Sequence, residues 1–235
     1  MSAFPPTLPD NLDNPAAIRE HDWQAFRSLT HMASHWQRPG WTDGRRSYHW
    51  LVDCSQSEAV RQLAEACQAQ LDEDAFDLVP LDSLHVTLGR VGFTDEITKA
   101  DALAVAREAI PQCAALPPFK LTIGPLAGSR GALRFTVAPW VPLMAAHDQL
   151  AAATGAVLGE RAVMDGRSFR PHLSIAYAHT DDVPVASLVP VLERLRELPA
   201  VAVEVCSIEL VELRRDGQAY RYDELMSLLL AETGL

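Results

Sequence analysis

Leu84-His85-Val86-Thr87-Leu88 and Pro171-His172-Leu173-Ser174-Ile175 share one pattern: a histidine and a hydroxyl two residues apart inside a short apolar run. In a β-strand, residues i and i+2 point to the same face. Each stretch therefore presents one imidazole and one hydroxyl together, while Val86 and Leu173 turn the other way. A single His-x-Ser/Thr arises by chance in a chain of this composition and carries little information. The pairing carries more. Of the eight histidines, only these two are followed at i+2 by Ser or Thr, and both lie in strand-like runs. Two surface strands with ordinary polar faces are the bland alternative. A matched pair of strands contributing to one site is the sharper reading.

Working outward from the pair, the same order of elements surrounds each. Tyr48 to Cys54 reads as a strand and Ser57 to Leu71 as an amphipathic helix. Phe76–Pro80 leads into the first His strand, which runs to about Gly89, and a helix follows from Glu96 to Ile110, closed by Pro111. Phe119–Ile123 and Leu133–Val137 form a hairpin around a turn at Gly124–Gly131. Pro142–Leu158 is an Ala-rich helix. A loop from Arg161 to Arg170, containing Asp165-Gly166, leads to the second His strand. Val185–Leu198 is helical, and Val201–Arg215 alternates as one strand. Asp216-Gly217 marks a hairpin turn, and Tyr220–Leu230 returns as a strand. Two halves each reading strand, helix, His strand, helix, strand imply an α+β fold of two lobes. These are duplicated strand-helix-strand units whose concave antiparallel sheets carry helices on the outside. A pseudo-twofold axis would bring both motifs to one central cleft.

The N-terminus differs. Residues 1–14 hold Pro5, Pro6, Pro9 and Asp/Asn pairs, and read as a flexible arm. Residues 15–235 read as the single two-lobed domain. Asn14 and Pro15 suit a helix start, and an apolar face continues to about Trp36. His31 and His35 are four apart on that helix, a metal-ligand spacing. No Glu stands at the second position of a His-Glu-x-x-His motif and no third ligand is near, so no metal is expected.

Composition bounds the function. Hydrophobic content of 48% and charged content of 22% fit an ordinary globular chain. A net charge of −11 disfavours long duplex nucleic acid, which requires phosphate neutralisation by Lys and Arg. A small nucleotide or RNA terminus in a local basic pocket remains compatible. The four cysteines are widely spaced and form no zinc pattern, which suggests free thiols in a reducing compartment. No secretory leader and no membrane span is read from the sequence. A cytoplasmic protein is expected, and a monomer, since no heptad or sticky edge stands out.

With both motifs in hand, the chain resembles the 2H phosphoesterase superfamily, which includes the bacterial 2′-5′ RNA ligase and cyclic phosphodiesterase enzymes. Leu84–Leu88 followed by Gly89 resembles the first family motif. Phe169-Arg170-Pro171-His172-Leu173-Ser174-Ile175-Ala176-Tyr177 resembles the second. Arg38-Pro39-Gly40-Trp41 leading to Tyr48 resembles a segment of uncharacterised actinobacterial members. The resemblance spans about residues 36–230 and implies four motif residues on the floor of a concave sheet. Ser174 stands where many members have Thr, and Tyr177 where ligase-like members often carry a basic residue.

Two imidazoles facing one phosphate suit acid–base phosphoester cleavage without a metal or other cofactor, because histidine titrates near neutrality. His85, Thr87, His172 and Ser174 are the catalytic candidates. The sequence motivates the pair for opening a 2′,3′-cyclic phosphate, with the two hydroxyls on the non-bridging oxygens; His172 as base and His85 as acid is the order adopted, without a residue signal that fixes it. Arg170 shares the His172 face and can reach a phosphate. Arg130 and Arg134 in the hairpin are further basic candidates. Tyr48, Trp41, Trp50 and Tyr177 are aromatic candidates for substrate binding, with packing as the alternative for each. His49, His147 and His179 receive no role. Hydrolysis or ligation at cyclic phosphates or 2′-5′ linkages is the leading function. A non-catalytic nucleotide or RNA-end binding module is the alternative, and a metal site at His31, His35 and other histidines is a third.

Overall fold

The computed structural model describes residues 4–37, 40–42, 44–164, 166 and 169–231. The expected features at Arg38, Pro39 and Asp165 therefore lie outside the described residues. Among the described residues, one antiparallel sheet of nine strands has two halves that meet along the two His strands. The first runs β11 (Ala219–Leu229), β10 (Ser207–Asp216), β2 (Arg46–Asp53), β4 (His85–Phe93). The second runs β7 (His172–Ala178), β6 (Ala132–Ala138), β5 (Phe119–Gly128), β9 (Val201–Val205), with β3 (Phe76–Leu78) also on β7. β4 and β7 pair through Val86 and Leu173. Each motif strand is thus central, and each flanking strand has a counterpart in the other half.

The Val201–Arg215 stretch, expected as one strand, is two. β9 pairs with β5, whereas β10 pairs with β2 in the other half. Only Cys206 separates them. Laid flat at roughly 4.8 Å per strand, the six steps between them would span about 29 Å. Two Cα–Cα steps reach less than about 8 Å. The sheet must therefore curl until its two ends meet, and that curvature makes the concave face.

The outer face carries the core. β4 and β7 both open with half-exposed and buried residues alternating, with Val86, Leu88, Leu173 and Ile175 on the buried side. Helices α2 (Glu58–Gln68), α3 (Lys99–Ala114) and α4 (Val141–Leu158) supply Val60, Leu63, Val105, Ala109, Leu143 and Leu150 to the same apolar cluster. α3 runs through Pro111 rather than stopping before it. Pro111 and Arg107, whose carbonyl loses a partner, are both exposed, so water can serve that oxygen. β5 likewise continues past the expected turn to Gly128. Gly124 at φ +108 begins a register shift between Ile123 and Leu126, and the strand absorbs a bulge there. No helix among the described residues is long and apolar enough to cross a membrane.

The N-terminal region departs most from expectation. Helix α1 (Pro15–Arg27) is capped by the Asn14 side chain, which accepts from the Ala16 and Ala17 amides. It ends well short of Trp36, because His31–Met32 form β1 and pair with β8 (Val183–Pro184), just before helix α5 (Val185–Leu195). His31 is in a strand and His35 in a turn, so the helical i, i+4 metal geometry does not exist. Residues 4–14 lie against the rest of the chain. The Trp140 amide donates to the Leu12 carbonyl at 2.8 Å, and Pro9 is buried.

Candidate active site

The Val86–Leu173 pairing of antiparallel β4 and β7 sets Thr87 opposite His172 and His85 opposite Ser174. The four polar side chains form a square, with like groups on its diagonals. All four line a cavity of about 160 Å³ on the concave face.

Both imidazoles are held the same way. His85 Nδ1 donates to the Ser83 carbonyl at 2.8 Å, and His172 Nδ1 donates to the Arg170 carbonyl at 2.7 Å. A carbonyl only accepts, so each Nδ1 carries a proton. Each Nε2 is then the titrating atom. The carbonyl lies two residues before its histidine in both motifs, a detail of backbone path at the strand entrance.

The surroundings break the symmetry. Beside His85, Asp53 is its partner on β2. The Tyr222 ring meets His85 edge-on at 5.4 Å, and its hydroxyl donates to Asp53 Oδ1 at 3.0 Å. Burial lowers the His85 pKa from its usual value, outweighing the Ser83 carbonyl and the Asp53 charge, which both raise it. Near neutral pH this favours the neutral imidazole at His85. Burial raises the Glu209 carboxyl, whose Oε2 accepts from the Asp53 amide at 3.2 Å.

Beside the second motif, Thr136 and Arg134 of β6 pair with His172 and Ser174. Arg134, a basic candidate from sequence, is 1% exposed and committed elsewhere. Its Nη1 and Nη2 donate to the two Asp22 oxygens at 3.0 and 3.1 Å, and the Thr136 hydroxyl donates to Asp22 at 3.0 Å. α1 thus covers this half of the concave side. Asp22 was missed in the sequence, where it reads as a polar residue among Ile18, Trp23 and Phe26. Its burial on that apolar face is the signal that a partner exists.

The remaining candidates divide. Tyr177 lines the cavity, with its ring 3.9 Å from His35. Trp41 also lines it. Tyr48 and Trp50 are buried in the core cluster, on the side of β2 opposite to cavity-lining His49, so neither faces a substrate there. Arg170 is buried and lines a neighbouring cavity of about 210 Å³ rather than the one between the histidines. Its Nη1 donates to the Phe169 carbonyl at 2.8 Å. Arg130 sits in the β5–β6 turn, where its carbonyl accepts from the Ala33 amide, and it is not among the cavity residues. Among the described residues, His35, His49, Leu213, Tyr220 and Phe4 also line the cavity. The β2 alternation carries a signal for His49. No local pattern points to Phe4 or His35.

A family model described as the 2′-5′ RNA ligase superfamily matches residues 52–217, a span that includes both motif strands. Among solved structures, E. coli LigT in apo form is similar with a TM-score of 0.59 and 18% identity, covering 80% of this chain and 99% of that one. A Thermus thermophilus protein, TT0787, gives a TM-score of 0.58 and 21% identity over 80% and 99%. A protein described as a phosphoesterase gives 0.60 and 18% over the same shares. At such identities the likeness is one of fold. No curated protein sequence gives a significant match.

Proposed function

The chain belongs to the 2′-5′ RNA ligase superfamily of phosphoesterases, and from that premise we propose that it is a metal-independent phosphodiesterase. Its substrates are 2′,3′-cyclic phosphates or 2′-5′ linkages of nucleotides and RNA ends. The observation that carries this reading is the matched pair of imidazoles on one cavity, each with Nδ1 held by a backbone carbonyl, the tautomer that puts proton exchange at Nε2. E. coli LigT has been crystallised with phosphate and with 3′-AMP, which supports a small phosphorylated ligand in this fold.

In ring opening, neutral His85 takes a proton from water through Nε2. The water oxygen forms a bond to phosphorus, and the bond from phosphorus to the 3′-oxygen breaks. Protonated His172 gives its Nε2 proton to that leaving oxygen, and a 2′-phosphate results. The residues alone leave the order of roles open. Desolvation of the partly buried His85 lowers its pKa, which supports this order, because a base must start neutral. Thr87 and Ser174 hydroxyls donate to the non-bridging oxygens as charge gathers there. Ligation is the same step with an RNA 5′-hydroxyl in place of water: its oxygen bonds to phosphorus, the bond to the 3′-oxygen breaks, that oxygen is protonated, and a 2′-5′ linkage results; the reverse of that step cleaves the linkage.

The test is turnover of a panel of 2′,3′-cyclic nucleotides with chelator present, in wild type and in His85→Ala/His172→Ala. Turnover in wild type that the double substitution abolishes is the expected result. Turnover that survives the substitution, or that the chelator removes, overturns the mechanism. Binding without turnover identifies a binding module instead.

A further inference from the structure

Residues 4–27 precede the region matched by the family model, yet they reach the floor of the cleft. α1 is anchored beside the second motif through Asp22. Ahead of it, Arg170 Nη2 donates to the Pro6 carbonyl at 3.3 Å. The Phe4 ring lies 4.8 Å from the His172 ring, and the Arg134 guanidinium carbon is 5.3 Å from the Phe4 centroid. The residues that border the second motif are thus also the ones that hold the arm.

Phe4 lies between two cavities. The first, of about 160 Å³, has an aromatic end built from His35, Trp41, Tyr177 and Tyr220. The second, of about 210 Å³, lies beyond His172 among Arg90, Met164, Phe169 and Arg170. Thr87, His172 and Phe4 line both, and Phe4 alone of the three comes from outside the motif strands. Each cavity is below the ~300 Å³ at the small end of ligand pockets, and the two joined would exceed it. A phosphate on the histidines thus has space on two sides, and an aromatic ring stands at the junction.

We propose that Phe4 is a specificity-determining residue: its ring closes the passage past His172, so that the site favours a phosphate carrying one nucleoside over a phosphate flanked by nucleosides on both sides. The second cavity takes the further nucleoside only when Phe4 is displaced. This rests on the phosphodiesterase reading for its substrate class. The positive Arg90 and Arg170 and the apolar Phe169 and Met164 suit a nucleotide there once the passage opens.

The test measures binding by calorimetry in a His85→Ala background, with and without Phe4→Ala. The probes are adenosine 2′-phosphate, with one nucleoside, and 2′-5′-linked ApA, with two. Turnover of adenosine 2′,3′-cyclic phosphate is measured separately in proteins retaining His85. In Phe4→Ala, the preference for the one-nucleoside ligand falls by about tenfold, a typical scale for a single steric contact. Phe4→Trp preserves the preference. An unchanged preference in Phe4→Ala overturns the role of Phe4, and the phosphodiesterase reading stands if cyclic phosphate is still turned over. A shifted preference with no turnover by wild type supports Phe4 as the dividing wall and overturns the phosphodiesterase reading. Binding of neither ligand to either protein overturns the role of Phe4, and the phosphodiesterase reading then stands or falls with cyclic phosphate turnover.

Discussion

Asp22→Ala tests the link between α1 and the second motif. The Asp22 carboxylate accepts two hydrogen bonds from Arg134 and one from Thr136. Both members of the ion pair are inaccessible, with side chains 1% and 2% exposed. Removing the acid leaves a guanidinium without a counter-charge among apolar neighbours, and Arg134 Nε already lacks an acceptor. Breaking a buried pair in this way typically costs about 3–5 kcal/mol. That is a large fraction of the ~5–15 kcal/mol that stabilises a domain. With a urea m-value of about 2–3 kcal/mol/M, the midpoint falls by roughly 1–2 M at unchanged m. The double substitution Asp22→Leu/Arg134→Met removes both charges and keeps apolar volume, so it recovers most of the loss. Urea unfolding of wild type, Asp22→Leu, Arg134→Met and the double variant measures the coupling directly, with Asp22→Ala measured beside them. A loss below about 1 kcal/mol in Asp22→Ala, or a double variant worse than either single, would refute the argument that charge burial governs this contact.

Other consequences are open to direct measurement. The depressed His85 pKa predicts that the ascending limb of kcat/KM for cyclic phosphate hydrolysis has its midpoint below the usual histidine value of about 6.5, since His85 must lose its proton to act as base. A midpoint above that value sinks the assignment. The same shift contributes to stability in a defined direction. The unfolded chain takes up the His85 proton first, so this contribution is lost as pH falls from about 6.5 toward the lower folded pKa and then levels off. A Cβ at Gly128 would lie 2.4 Å from the buried Phe26 ring of α1, so Gly128→Ala destabilises by about 1–3 kcal/mol. Gly155, inside α4 with nothing within 4 Å of an added Cβ, gives the opposite sign. Gly155→Ala stabilises by about 0.5–1 kcal/mol in thermal or urea unfolding. Burial raises the Cys54 and Cys67 thiols to about 12 and Cys113 to about 11, whereas Cys206 is exposed. Native protein at pH 8 therefore titrates one thiol with an aromatic disulfide reagent. Prompt reaction of a second would show that one of the buried sites opens.

Local periodicity and short-range turn chemistry account for what could be read from the residues alone. The period-two alternation at His85–Leu88 and His172–Ile175 assigned two strands, the faces of both histidines and both hydroxyls, and the repeated order of elements around them. Asn14, Pro15 and the Asp216-Gly217 turn were legible because caps and tight turns depend on a few adjacent residues. The rest depends on contacts between distant residues, which folding alone creates. Val201–Arg215 alternates without a visible break, yet Cys206 divides it between opposite ends of a curled sheet, because each end has its own pairing partner. The predicted continuation of α1 gives way to β1 through pairing with Val183–Pro184. Tyr48 and Trp41 have similar aromatic character, but strand parity buries the first and a turn brings the second into the cleft. Arg134 has the composition of a phosphate ligand, and an acid 112 residues away neutralises it. The burial that favours His85 as base and the Phe4 ring beside His172 arise only when the chain closes around the site, since desolvation is a property of the packed surroundings and not of the residue.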